Sequence, residues 1–168
     1  MTDWNYVIWK YEAVKQPDGK YVKAFMPPDA QIIRMDHVDD GFYKGDFIWA
    51  IVNPTADIDW QLVEWNPDLY KNIPVHDYYV EELQLGVLEE QIVRLPKNAN
   101  ILHVKDFNGL LWLYYEDNST IVDYELIKIA IYKTGQDFKH DVYKMEYLGF
   151  CSLWILQELG LYVFKINV

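Results

Sequence analysis

Short segments rich in valine, isoleucine, tyrosine and tryptophan recur along the chain, and clusters of glycine, proline, aspartate and asparagine separate them. Such segments are typical of β-strands, and the clusters between them are typical of tight turns. The pattern predicts strands at residues 6–14, 20–26, 31–37, 46–52, 58–65, 78–85, 89–95, 100–105, 110–115, 124–132, 143–148, 153–157 and 161–166. We therefore expect a mostly β protein.

The segment VEELQLGVLEEQIVRL, residues 80–95, fits two kinds of secondary structure. Its apolar residues also follow helical spacing, so periodicity alone does not decide between helix and strand. Gly86 disfavours the interior of a helix. Residues 92–95 also align with residues 23–26, which follow the hairpin turn KQPDGK at 15–20 and are therefore assigned to a strand. We predict strands on both sides of Gly86.

One sequence pattern occurs twice in the chain. MPPDAQIIRM at 26–35 and LPKNANILHV at 95–104 carry proline, alanine and isoleucine at the same offsets. FIWAIV at 47–52 then matches LLWLYY at 110–115, and DWQLVE from Asp59 matches DYELIK from Asp123. Matches in the same order predict a tandem duplication.

The duplication predicts two related small antiparallel β subdomains, sandwich-like or barrel-like, packed in tandem. We place the first β repeat at residues 1–75 and the second at 76–168. Within each copy the shared proline is expected to head a strand, where its missing N–H costs no hydrogen bond. Trp49 and Trp112 are expected to anchor the core of each copy.

These residues resemble a small, poorly characterised domain found in bacteriophage genomes. The pattern of that domain runs from a K-Y opening through P-x-x-A-x-I-L and W-A-L-V-x-P to a G-T-G turn and a closing aromatic strand. WKYEAV, MPPDAQIIRM and WAIVNP resemble its first half in copy one. LPKNANILHV, LLWLYY, YKTGQ, YLGFCSLWIL and GLYVFKI resemble the whole of it in copy two.

The match to that domain has departures. Lys133-Thr134-Gly135 stands where the family has Gly-Thr-Gly, and copy one lacks this turn. The resemblance implies a bacteriophage origin and a β fold, and it implies no particular activity.

Charge narrows the classes of partner. Fifteen basic residues against 26 acidic ones give a net charge of −11. This charge disfavours binding to nucleic acid and to anionic membranes, and it favours a protein partner with a basic surface. Cys151 is the sole cysteine, which fits a reducing compartment. With no signal-peptide pattern at the N-terminus and no apolar run long enough to span a bilayer, we expect the protein in the host cytoplasm.

The sequence predicts no metal, cofactor or catalytic residue. The four histidines lack zinc-ligand spacing, and DHVDDGF from Asp36 lacks the ligands of a calcium loop. No phosphate-binding loop or nucleophile elbow is present. Carboxylate pairs such as Asp39 with Asp40, or Glu116 with Asp117, could act as acid and base, although adjacent charges more often mark a solvated turn.

The segment DHVDDGFYKGD, residues 36–46, is longer than its counterpart in copy two and is the candidate binding site. An aromatic pair flanked by carboxylates fits the contact surface of a basic partner. The predicted partner-binding residues are Asp36, Asp39, Asp40, Phe42, Tyr43 and Asp46. The alternative is an ordinary hairpin loop whose aromatic side chains fold back on the sheet.

These observations favour a non-catalytic, phage-encoded acidic binding protein that occludes or modulates a host protein, as a host-takeover or anti-defence inhibitor. One alternative is a structural component of the virion. Another is an enzyme whose site lacks a recognisable motif.

Overall fold

The computed structural model describes residues 6–39, 41–42, 44–70, 80–86, 89–116, 123–154 and 158–167. These residues are mostly β, as the sequence predicts. The strands are β1 Val7–Lys15, β2 Tyr21–Met26, β3 Gln31–Asp39, β4 Lys44–Val52, β5 Asp59–Glu64, β6 Val80–Leu85, β7 Glu90–Pro96, β8 Asn100–Phe107, β9 Leu110–Glu116, β10 Tyr124–Lys133, β11 Met145–Trp154 and β12 Glu158–Ile166. Two short 3₁₀ helices, Pro67–Tyr70 and Val142–Lys144, complete the described elements.

Most of the strands predicted from the local sequence pattern are present in the structure. The segment 80–95 forms two strands, β6 and β7, on either side of Gly86. In the predicted turn at 15–20, Gly19 has a φ of +71°, and Asp18 Oδ1 accepts the N–H groups of Lys20 and Tyr21. One prediction was wrong, because the single strand β11 runs through the break predicted between residues 148 and 153, and residues 143 and 144 lie in a 3₁₀ helix.

The described strands form three antiparallel sheets and no closed barrel, consistent with a sandwich-like fold. Their strand orders are β3-β4-β1-β2-β5, β6-β9-β8 and β11-β12-β10-β7. Strand β1 contributes to two pairings: Val7 to Ala13 pair with β4, and Val14 and Lys15 pair with β2.

The chain divides into two compact units. Unit 1 comprises Met1–Lys71 and Thr134–Lys139, and unit 2 comprises Asn72–Lys133 and His140–Val168. The predicted boundary between residues 75 and 76 lies outside the described residues.

The segment Thr134–Lys139 belongs to unit 1 although it follows β10. Within unit 1, Gly135 N–H donates to the Ile8 carbonyl and Phe138 N–H donates to the Tyr6 carbonyl, each at 2.8 Å. Val7 and Asp137 form an antiparallel bridge. The segment Thr134–Lys139 therefore supplies backbone pairing to the start of β1.

The two units share strand pairings in the same order. Sheet β3-β4-β1 corresponds to β8-β9-β6, and the pair β2-β5 corresponds to β7-β10. A β-bulge interrupts β3 after Ile32 and β8 after Ile101, which are matched positions of the sequence pattern. Beyond each bulge a buried basic or imidazole side chain stacks on an aromatic ring.

In unit 1 the Arg34 guanidinium lies 4.1 Å from the centre of the Trp49 ring, and in unit 2 His103 stacks on Tyr114 at 5.1 Å. The strand register pairs Arg34 with Trp49 and His103 with Tyr114. Tyr114, and not Trp112, therefore occupies the position equivalent to Trp49. Trp112 lies two residues before Tyr114 in β9. Since side chains alternate along a strand, Trp112 points to the same face of β9 as Tyr114, which corresponds to the face that Trp49 occupies in β4.

Both faces of β4 are buried from Ile48 to Val52, and a cluster of core side chains in each unit lies opposite the tryptophan. In unit 1 the core contains Ile48, with Ala50 in an adjoining cluster, and in unit 2 it contains Leu111 and Leu113. Trp49 is 4% exposed but faces Arg34, and Trp112 is half-buried. The expectation is therefore confirmed for Trp49, which is a buried core residue, and not for Trp112.

The shared prolines end strands where we expected them to head strands. Pro27 follows β2 and Pro96 is the last residue of β7. Each accepts a hydrogen bond across a tight turn, from Ala30 N–H and Ala99 N–H respectively. The role is the same in both units, because proline stops the strand and opens the turn to the next one.

Candidate functional site

The predicted site lies on the hairpin β3-β4. The pairing is regular from Arg34 opposite Trp49 to Asp39 opposite Lys44, so most of segment 36–46 is strand. The hairpin β8-β9 in unit 2 closes instead on Asn108-Gly109, both at positive φ, which is a two-residue turn. Unit 1 thus has the longer hairpin.

Two of the predicted site residues contact cations of the protein itself. Asp36 Oδ2 lies 3.1 Å from Nη2 of the buried Arg34. Asp46 Oδ1 lies 2.8 Å from His37 Nδ1, and Asp46 Oδ2 lies 3.6 Å from Lys15 Nζ. These carboxylates therefore hold the hairpin together, which leaves less negative charge for a partner than the sequence suggested.

The remaining predicted residues lie at the end of the hairpin. Asp39 is exposed, and Phe42 exposes 96% of its surface, so the Phe42 ring does not fold back onto the sheet. Asp40 and Tyr43 lie outside the described residues. A contact between these six residues and a basic partner stays a prediction.

A second surface, which the sequence analysis missed, lies on β1, β2 and β5 of unit 1. We call it the β5 face; it consists of Val14, Tyr21, Lys23, Phe25, Trp60 and Leu62. Trp60 is 57% exposed and Leu62 is 60% exposed. The rings of Phe25 and Trp60 pack at 5.3 Å, and a shallow hollow of about 320 Å³ is lined by Val14, Gln16, Lys23 and Trp60.

A signal for this face is present in the sequence. In DWQLVE the consecutive Leu62 and Val63 point to opposite faces, so both faces of β5 carry apolar side chains. The corresponding strands of unit 2 also expose apolar side chains, namely Ile92, Tyr124 and Leu126. There the Arg94 guanidinium covers the Tyr124 ring at 4.1 Å.

The histidines lie in separate environments. His37 pairs with Asp46, His103 is buried on Tyr114, and His76 lies outside the described residues. His140 bridges the Tyr132 hydroxyl at 2.7 Å and Glu90 Oε1 at 2.8 Å. Within the described ranges no three histidine, cysteine or acidic side chains are close enough to hold a metal ion.

Cys151 has the environment of a core residue. It is fully buried in unit 2. Burial, together with the nearby Asp106 carboxylate, raises the pKa of the Cys151 thiol to about 12. The thiol therefore stays protonated at neutral pH, which removes its nucleophilic form.

The buried His103 predicts a dependence of stability on pH. Desolvation lowers its pKa below the usual value near 6.5, and the positive charge of Lys105 lowers the pKa further. The unfolded chain then binds a proton at this residue more readily than the folded chain. With respect to His103, the free energy of unfolding is therefore greatest above about pH 6.5 and falls on acidification. We expect urea unfolding to show that the free energy of unfolding falls less between about pH 7.5 and 5.5 in His103→Gln than in the wild type.

The comparison variant for His103 is His37→Gln, because the His37 side chain is more than half exposed. It should leave the contribution of His103 intact. Equal pH dependence in the wild type and His103→Gln would show that His103 does not carry the effect.

The fold defines an all-β protein of antiparallel sheets that divides into two compact units. The model of one family, a domain of unknown function (DUF7352), matches residues 79–166, slightly more than half of the chain. The chain belongs to this family, and the match spans β6 to β12. Neither the curated proteins nor the solved structures gave a significant match. No helix in the described part of the chain is long and apolar enough to cross a membrane.

Proposed function

We propose that this chain is a non-catalytic, phage-encoded binding protein that occludes or modulates a host protein with a basic surface. The observation that carries the proposal is the β3-β4 hairpin, which presents Phe42 with 96% of its surface exposed at its end. An aromatic side chain held out on a paired hairpin can enter a pocket of a partner at a small entropic cost. The phage origin rests on the sequence resemblance.

Side-chain contacts link the strands of the hairpin to each other and to β1. Asp46 links β4 to His37 on β3 and to Lys15 on β1, while Asp36 contacts Arg34 beside the bulge. The contacts of Asp46 with His37 and Lys15 join neighbouring strands and so stabilise their pairing. The net charge of −11 supports a basic partner, because it accelerates encounter with positive surfaces.

The experiment is affinity capture from a bacterial lysate with Phe42→Ala. We expect the wild type to enrich one host protein, and Phe42→Ala to lower its recovery about tenfold or more, as for a hot-spot aromatic residue. Raising the salt to about 0.5 M should weaken capture if charge assists binding. Mass spectrometry identifies the captured protein and quantifies its recovery.

Phe107→Ala is the matched control, because Phe107 is an exposed phenylalanine at the end of the corresponding hairpin in unit 2. It should leave capture unchanged. Equal loss with both variants, or none with either, would contradict a role for the β3-β4 hairpin. Recovery of this chain in purified virions, without enrichment of a host protein, would favour the structural alternative.

A further inference from the structure

Strand β5 is the last strand in its sheet, and no described strand pairs with its outer edge. The Trp65 N–H donates to the Lys20 carbonyl at 2.8 Å. Since hydrogen-bonding residues alternate in an antiparallel pair, Val63 and Gln61 also face β2. The backbone groups of Trp60, Leu62 and Glu64 therefore point to the outer edge.

In unit 2 the equivalent edge is occupied. The hydrogen bond from Ile131 N–H to the Glu89 carbonyl corresponds to that between Trp65 and Lys20, which makes Lys128 the counterpart of Leu62. Strand β12 pairs with β10 from Lys128 to Lys133 in antiparallel orientation. The fold thus accepts a strand at this edge, from the position of Leu62 onward.

The side chains beside this edge are suited to hold an added strand. Trp60 and Leu62 expose more than half of their surfaces on the β5 face. The hollow of about 320 Å³ is lined by Trp60 together with Val14 of β1 and Lys23 of β2, so it lies over the β5 face and inward of the outer edge. The Trp60 N–H donates a hydrogen bond to Asp59 Oδ1 at 2.8 Å. An added strand would therefore pair with the outward backbone groups of Leu62 and Glu64.

Charge determines which occupant fits. Asp59 and Glu64 lie at the two ends of β5, so antiparallel pairing with a second copy would bring the acidic end of one strand near the acidic end of the other. The net charge of −11 on each chain adds repulsion between copies. The same carboxylates attract lysine or arginine at the ends of an incoming segment.

We propose that an extended segment of a partner protein, with apolar side chains at alternate positions and basic residues at both ends, adds to β5 as an antiparallel strand. This inference rests on the proposed binding function and adds the place and chemistry of the bound segment. Backbone hydrogen bonds to Leu62 and Glu64 give affinity, and the exposed side chains of Trp60 and Leu62 favour apolar side chains on the added strand.

The test uses the full chain and a fluorescein-labelled synthetic peptide with lysine at both ends and alternating valine and threonine between them. Fluorescence anisotropy should show saturable binding. Leu62→Pro should weaken it about tenfold or more, because proline removes the outward N–H that an added strand needs. Leu62→Lys keeps the backbone N–H but repels the basic peptide, and it should weaken binding even if the proline variant folds poorly.

Two controls separate strand addition from charge attraction. Leu126→Ala alters an exposed leucine on the corresponding face of unit 2 and should not change the affinity. A peptide with the same lysines but proline in place of threonine should bind at least about tenfold more weakly, because it cannot form the strand ladder.

Absence of saturable binding, or equal binding by wild type and both Leu62 variants, would overturn the inference. Equal binding of the two peptides, or a loss with Leu126→Ala as large as with Leu62→Pro, would also overturn it. A concentration-dependent dimer that Leu62→Lys dissociates, with no peptide binding, would assign the edge to a second copy instead. The peptide assay does not involve the hairpin β3-β4. Peptide binding can therefore fail while host-protein capture through Phe42 succeeds, and capture can fail while peptide binding succeeds.

Discussion

Replacing Trp49 with alanine is expected to lower the free energy of unfolding by about 3 to 5 kcal/mol, the range for truncation of a buried aromatic side chain. Trp49 is 4% exposed and lies under the Arg34 guanidinium at 4.1 Å, with the Phe47 ring at 6.3 Å. The substitution removes both the packing and the aromatic face on which a nearly buried cation rests. Chemical denaturation at neutral pH gives the free energy directly.

Trp112→Ala is the matched control for Trp49→Ala. Trp112 is half-buried, so we expect a loss of about 1 to 2 kcal/mol, common for point substitutions. Trp49→Phe should recover part of the stability lost in Trp49→Ala, because it keeps an aromatic face toward Arg34. Equal losses at the two tryptophans would contradict the positions described for them.

Replacing Phe138 with alanine is expected to destabilise unit 1 by about 3 to 5 kcal/mol, although residue 138 lies in the second half of the sequence. Phe138 is 3% exposed, and its backbone N–H donates to the Tyr6 carbonyl in unit 1. Hydrogen exchange should therefore accelerate at the amides of β1. The measurement is exchange followed by mass spectrometry of peptides covering β1 and β12.

Tyr143→Ala is the control, because Tyr143 is a largely exposed aromatic residue a few positions further along the chain. It should change exchange in neither unit. Acceleration that is confined to the amides of β12 in Phe138→Ala would contradict the assignment of residues 134–139 to unit 1.

The sequence predicted part of the candidate site. The extra length of segment 36–46 indicated a longer hairpin, and Phe42, singled out for its place in that segment, is exposed. The pairing of Asp46 with Lys15 and His37 was not predicted, because ionic partners on neighbouring strands depend on register. The β5 face was missed because alternation in DWQLVE does not tell which apolar side is covered.

The sequence by itself determined much of the local structure: the location of most strands, the turn at Gly19, the repeated pattern after Pro27 and Pro96, and the net charge. These features depend on residues close together in the chain, through backbone preferences and alternation. Only the tertiary structure decided that Trp49 faces Arg34, that Phe138 belongs to unit 1, and that the edge of β5 is unpaired among the described strands while β12 covers that of β10. Each of these depends on contacts between segments far apart in the chain, and local preference carries no information about such contacts.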